Sequence, residues 1–226
     1  MKPVLVFDWN GTLLDDAHAL LQTTNAILDR FGHAPIDMKT FRERCDVPLS
    51  LLYRNIGMSQ DEIAAVDRDG SAVFHDTYEP LADRADLREG ARRLLELAHR
   101  EAALSVIVSN HIVAPLRSQL RRLEIHDYIN EVIAFESRAT QYKSMSKGER
   151  LRLYMQKNKL DPASTFMIGD MPIEIDIARN LGLVSISITG GFVSDSRLRA
   201  ANPDYTINNH YELLPILQRH GFFQNA

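Results

Sequence analysis

From about Leu87 onward, short apolar runs alternate with stretches whose apolar residues recur at helical spacing, and nothing else in the chain constrains its fold as strongly. Leu104-Ser105-Val106-Ile107-Val108, Val132-Ile133-Ala134, Phe166-Met167-Ile168, Val184 to Ile188 and Tyr205-Thr206-Ile207 read as strands. Between them lie Leu94, Leu95 and Leu97 in a helix around Leu87 to Arg100, then Ile112, Leu116, Leu120 and Leu123, then Ile173, Ile177 and Leu181 before Gly182. Leu213, Leu214, Ile216 and Leu217 follow the last strand. A strand, a helix and another strand in succession need a crossover, which is how parallel strands are joined. The runs are continuously apolar, as strands covered on both faces must be. Val4-Leu5-Val6-Phe7 is one more such run, far from the others in sequence. The expectation is an α/β protein with a doubly wound parallel sheet and helices on both faces.

The segment 15–81 has a different rhythm. Asp15-Asp16 can cap a helix carrying Leu20, Leu21, Ile27, Leu28 and Phe31, which Gly32 stops. His33 to Pro48 reads as loop and short helix. Ser59-Gln60-Asp61-Glu62 is a capping box that opens a helix through Ile63 and Val66 towards His75. Helical signals without a convincing strand predict a helical module, 15–81, inserted into a larger domain made of 1–14 and 82–226. At 226 residues the chain is long enough for both.

Composition narrows the partners. A net charge of −4 gives no basic footprint, so nucleic acid is not an expected partner. No apolar run reaches the ~18 residues that span a bilayer, so no membrane partner is expected. One cysteine, Cys45, allows neither an internal disulfide nor a cysteine metal cluster and fits a reducing compartment. Met1-Lys2-Pro3 leads straight into a strand with no signal-peptide core before it, which predicts a cytoplasmic protein. No motif specifies an oligomeric state.

Three of the runs end in groups that do chemistry: Val4–Phe7 at Asp8, Leu104–Val108 at Ser109-Asn110, and Phe166–Ile168 at Gly169-Asp170. The carboxyl ends of parallel strands share one edge, so these residues can meet. Two carboxylates brought together repel unless a cation separates them. Hard oxygen ligands without a histidine or cysteine cluster favour magnesium. Ser146-Lys147-Gly148-Glu149 is a second capping box, which puts Lys147 in the first turn of a helix and favours it over Lys143 as the site's ammonium. A hydroxyl and an ammonium beside a carboxylate nucleophile suit phosphoryl transfer.

At this point the sequence resembles the haloacid dehalogenase-like hydrolase superfamily, most closely its phosphoglycolate phosphatase-like members with a helical cap. Asp8-Trp9-Asn10-Gly11-Thr12 is similar to the first motif, aspartate-x-aspartate-glycine-threonine; Ser109-Asn110 resembles the second, Lys147 the third, and Gly169-Asp170 with Glu174 the fourth. The tail, from Gly190-Gly191-Phe192 through Pro203-Asp204-Tyr205 to Glu212-Leu213-Leu214, is similar to the family's closing stretch. The resemblance implies a Rossmann-like core with an inserted all-helical cap, acting on a small phosphorylated metabolite. It implies that Asp8 attacks phosphorus to form an aspartyl phosphate, with Asn10 in the family's acid/base position. Magnesium would be held by the Asp8 side chain, the backbone carbonyl of Asn10 and Asp170, while Glu174 supports the metal shell or orients Lys147. Ser109, Asn110, Lys147 and the backbone about Gly11 and Thr12 would hold the phosphoryl oxygens. Arg42, Arg44 and Ser50 lie where the family's cap sends a substrate-reading loop, although arginine more often lies on a solvated face.

Two positions depart from the family pattern. The family's second aspartate protonates the leaving group and then activates water, whereas the Asn10 amide exchanges no useful proton near neutral pH. General acid–base help is worth ~10² to 10⁴ in rate. The substitution therefore leaves a slow phosphatase, one restricted to good leaving groups, or a phosphate-binding or regulatory protein on the same fold. The second departure, Glu174 in place of the commoner aspartate, is milder because the longer side chain still reaches the same region. A phosphomutase needs the missing acid/base group, and the serine, lysine and glycine-threonine set favours phosphate over a halide. His111 either faces the pocket or is solvated; Asp15 and Asp16 are expected as helix caps.

Overall fold

The computed structural model describes residues 2–68, 72–137 and 145–224. Six strands form one parallel sheet: β1 (Val4–Phe7), β2 (Leu104–Ile112), β3 (Glu131–Phe135), β4 (Thr165–Gly169), β5 (Val184–Ile188) and β6 (Tyr205–Ile207), in the order β3-β2-β1-β4-β5-β6. The chain reverses its direction of travel across the sheet at β1, and ligands of open parallel sheets bind beyond the strand ends at such a point. Phe7 is in register with Ile107 of β2 and Ile168 of β4. Asp8, Ser109 and Asp170, one or two residues beyond these positions, therefore come to the same edge of the sheet.

The period of two along each strand sorts the core onto two faces. Val4, Val6, Val106, Val108 and Met167 pack with Leu151 and Met155 of α8 (Lys147–Asn158) and with Ile177 and Ala178 of α9 (Pro172–Leu181). Leu5, Phe7, Ile107, Phe166 and Ile168 face the other way. They pack with α6 (Ala91–Arg100), α7 (Val113–Arg122) and α11 (Leu213–Arg219), while α10 (Asp195–Ala200) adds Leu198. This is the doubly wound, Rossmann-like architecture expected from the alternation.

Between β1 and α6 the described residues of 15–81 form helices and no strand: α1 (Ala17–Arg30), α2 (Met38–Arg44), α3 (Leu49–Asn55), α4 (Gln60–Arg68) and α5 (Ala72–Ala82). α1 packs along α5. Leu20, Ile27, Phe41, Leu52 and Ile63 of these helices belong to the same buried cluster as Leu5 and Phe7, so the apolar core continues from the sheet into the helical segment. Polar contacts add to it. Arg42 Nε and Nη2 donate to the carbonyls of Gly191 and Gly190 at 2.9 and 2.6 Å, and Arg197 donates to the Cys45 carbonyl.

Three local expectations change. The helix expected from Ser59 towards His75 is two helices, α4 and α5, flanking residues 69–71, which lie outside the described residues. The helix expected from Leu87 begins at Ala91, because Leu87 bridges Leu14 antiparallel, Arg88 N–H donates to Leu13 O at 2.9 Å, and Gly90 turns the chain at φ +79°. β2 runs past Val108 to Ile112 through a shift of register against β3, so Ser109 lies inside the strand. No helix among the described residues is long and apolar enough to cross a membrane.

Candidate active site

The site is built where β1 and β4 end, with β2 running alongside β1 through Ser109. Asp8 follows β1, and its backbone N–H donates to Ile168 O at 2.9 Å, which ties it to β4. Lys147 arrives from α8. Ser146 caps that helix by accepting from Glu149 N at 3.2 Å, while Glu149 accepts from Ser146 N at 2.9 Å, so the first helical residue is fixed in direction. Its ammonium donates to Asp8 Oδ1 and to Glu174 Oε1, both at 2.6 Å, with all three side chains buried. Burial alone would depress the Lys147 pKa; the two carboxylates outweigh it and hold the ammonium above its ordinary value. Burial raises Glu174 despite that ammonium.

Asp170 completes the cluster without touching Lys147. Its Oδ1 accepts from the Thr12 hydroxyl at 3.1 Å and its Oδ2 from Phe192 N at 2.7 Å. Burial first, then the nearby Asp8 and Glu174 charges, push its pKa well above the carboxylate range. Three buried carboxylates against one ammonium leave an excess of negative charge, which fits a hard divalent cation. Among the described residues no three His, Cys, Asp or Glu side chains form a metal-holding group. The magnesium set implied by the resemblance has only two such side chains, Asp8 and Asp170, with a backbone carbonyl as the third donor, and these residues are compatible with it.

The loop after Asp8 is held from several sides. Arg88 Nη1 donates to Gly11 O at 2.8 Å and its Nη2 to Thr189 O at 2.6 Å. A methyl group on Gly11 would sit 2.2 Å from Asp170 Oδ2, and φ is +73° there, so only glycine fits. The Asn10 amide is held on its NH2 side: Nδ2 donates to Asp16 Oδ2 at 3.0 Å and to the Tyr78 hydroxyl oxygen at 2.7 Å. Asp16 also accepts from Gly11 N at 2.7 Å and from the Tyr78 hydroxyl. Burial, partly offset by these donors, raises the Asp16 pKa to about 6. Burial and then the Asp16 charge raise the Tyr78 phenol well above its ordinary value, so it stays a donor.

The model of the haloacid dehalogenase-like hydrolase family matches residues 5–188, from β1 to the end of β5. The chain belongs to this family. This haloacid dehalogenase-like hydrolase is 24% identical over 211 residues to the phosphoglycolate phosphatase of Synechococcus elongatus, covering 93% of this chain and 94% of that one. It is 25% identical over 228 residues to the phosphoglycolate phosphatase of Psychrobacter arcticus, covering 96% of each. Among solved structures, a haloacid dehalogenase-like family hydrolase from Streptococcus pneumoniae superposes with a TM-score of 0.80 at 22% identity, over 96% of this chain and 99% of that one. That likeness carries the fold.

The hydrolase brings together Asp8, Lys147, Asp170 and Glu174 as expected; Gly11 and Thr12 adjoin Asp170, but their amides donate to Asp16 and to the Trp9 carbonyl and not towards a phosphoryl group. Ser109 is buried on β2, the strand next to β1, its hydroxyl oxygen accepting from His111 N at 3.0 Å. Asn110 is exposed and accepts from Arg150 at 3.1 Å. Arg42 spends its guanidinium on the carbonyls of Gly190 and Gly191, anchoring the helical segment beside the Asp170 loop, and Arg44 is exposed. Lys143 lies outside the described residues. His111 is buried, not solvated; its ring lies edge-on to Tyr78 and its Nε2 is 3.7 Å from Glu79 Oε2. Sequence reasoning missed Tyr78 and Arg88, which no local pattern marks, and misread Asp16. It stands at the N-cap of α1 but its side chain caps nothing. An acidic residue so soon after the nucleophile was the available signal.

Proposed function

We propose that this hydrolase is a magnesium-dependent phosphatase that cleaves a small-molecule phosphate monoester through an aspartyl phosphate on Asp8, slowed by Asn10 in the acid/base position. The observation that carries this reading is the buried Lys147 ammonium between Asp8 and Glu174, 2.6 Å from each, with Asp170 beside them at the carboxyl edge of the sheet. The names of the two relatives, phosphoglycolate phosphatases, support a small phosphorylated metabolite as substrate. We assign 15–81 to a helical cap over a core of 1–14 and 82–226, and the protein to the cytoplasm.

Asp8 supplies the attacking oxygen. Its bond to phosphorus forms as the bond to the ester oxygen breaks, and the departing alkoxide takes its proton from solvent because Asn10 offers none. Ser109 and Lys147 hold the phosphoryl oxygens, and Glu174 keeps Lys147 in place; the Gly11 amide, which donates to Asp16, takes no part. Asp8, the carbonyl of Asn10 and Asp170 would hold the metal, with Glu174 supporting that set. Bound magnesium supplies positive charge that offsets the phosphoryl oxygens and the crowded carboxylates. Water then attacks the aspartyl phosphate, the bond from phosphorus to Asp8 breaks, and the carboxylate is regenerated.

The test compares magnesium-dependent hydrolysis of an aryl phosphate, p-nitrophenyl phosphate, with that of an alkyl phosphate, 2-phosphoglycolate. The aryl ester should turn over faster by about 10² or more, because only its leaving group departs without a proton, and Asp8→Asn should abolish both activities. Turnover of neither ester, with phosphate binding retained, would favour a phosphate-binding protein instead.

A further inference from the structure

Asp16 occupies a helix N-cap position, where an aspartate usually accepts from the helix's own amides. It does not do so here. Both of its oxygens are spent on the catalytic loop and α5: Oδ1 on the Gly11 amide, Oδ2 on the Asn10 amide and the Tyr78 hydroxyl. The residue has no exposed surface, and a carboxylate in the interior is expensive to keep.

The arrangement selects one orientation of Asn10. A carboxylate only accepts, and the phenol proton already goes to that carboxylate, so Tyr78 can only accept from Asn10 as well. An amide turned by half a revolution would set Oδ1 against two oxygens with no hydrogen to share. The NH2 end therefore faces Asp16 and Tyr78, and Oδ1 is the end not committed to them. A carboxylate at position 10 would meet Asp16 as a like charge 3.0 Å away, so the asparagine and the aspartate suit each other.

We propose that Asp16, with Tyr78, is a positioning residue that acts through Asn10, holding its amide so that Oδ1 is presented to the phosphoryl site. The inference rests on the phosphatase reading of Asp8 and deepens it. In the second half-reaction Oδ1 accepts a hydrogen bond from the entering water and aims its oxygen at phosphorus. The new bond from oxygen to phosphorus forms, the bond to Asp8 breaks with its electron pair returning to the carboxylate, and both water hydrogens leave with the product as dihydrogen phosphate. Asn10 orients the water and takes no proton.

A double-mutant cycle on p-nitrophenyl phosphate tests the claim. Asp16→Asn, whose amide no longer dictates which way Asn10 turns, should lower kcat by about 10- to 100-fold with KM nearly unchanged. In an Asn10→Ala background the same change should alter kcat by less than about twofold, because the two act as a unit. Equal losses in both backgrounds would make Asp16 merely structural and overturn the proposal. Asn10→Asp alone should gain nothing on an alkyl ester, whereas Asn10→Asp with Asp16→Asn should gain. A readout without turnover keeps the two readings separable. In a 1H–15N spectrum the Asn10 side-chain pair, identified by its disappearance in Asn10→Ala, should exchange slowly with water, and the protection should vanish in Asp16→Asn. A pair that exchanges in the unsubstituted protein as fast as exposed asparagines overturns the proposal even if no ester is hydrolysed.

Discussion

Gly191 measures how little room surrounds Asp170. A methyl group there would lie 2.3 Å from Asp170 Oδ2 and 2.5 Å from its Cβ, distances at which the carboxylate must move. Gly191 is not among the left-handed glycines, so its backbone presents no obstacle, and the nearest atoms the methyl would meet are those of Asp170. Gly191→Ala should therefore keep its fold by circular dichroism while phosphatase turnover drops by about 10², the penalty of a displacement near 1 Å. Gly32→Ala is the contrast: open space but φ +73°, so it should lose about 1 kcal/mol of stability and no turnover. What the sequence revealed at this scale follows from the same geometry. Asp8, Asp170 and Lys147 were legible because each stands just beyond an apolar run or within a capping box, where local pattern fixes position. Arg42 and Asp16 were not, because their partners, the Gly190–Gly191 carbonyls and the Asn10–Tyr78 pair, are brought to them by tertiary folding.

At the scale of elements, α8 does more than cover the sheet. Lys147 is its first residue, so its place beside Asp8 depends on the Ser146–Glu149 box that sets the direction of the first turn. Ser146→Ala removes one of the two reciprocal bonds and should reduce stability by about 1 kcal/mol. Fraying of that turn should move the ammonium as well, so kcat should fall by more than the fraction of unfolded protein explains. Urea titration and steady-state rates on the same samples separate the two effects. A loss of activity no larger than the loss of folded protein would show that Lys147 is held by Asp8 and Glu174 alone. Both capping boxes were readable because their partners stand three residues apart. The start of α6 was misread because Leu87 and Arg88 pair with Leu14 and Leu13, a contact no local window contains.

The whole molecule is joined at His210, where the chain's last segment reaches the loop that follows the nucleophile. The ring is fully buried and edge-on to Phe7, its Nε2–H donates to the Thr12 carbonyl at 2.9 Å, and its Nδ1 is buried without a partner. Burial, against that hydrogen bond, lowers its pKa from 6.5 to about 4. Between those values the unfolded chain binds a proton that the folded chain refuses, so stability rises with pH. It is complete above pH 6.5 and is lost as the pH falls towards 4, by about 3 kcal/mol for this one group. His210→Gln, which still donates to Thr12 but does not titrate, should flatten that part of the profile. Urea unfolding at pH 7, 6, 5 and 4 on both proteins measures the difference, and parallel profiles would refute the assignment. Thr12 also donates to Asp170, so the acid loss should reach the site itself: phosphatase activity of the unsubstituted protein should fall before global unfolding as the pH approaches 4, and less so in His210→Gln.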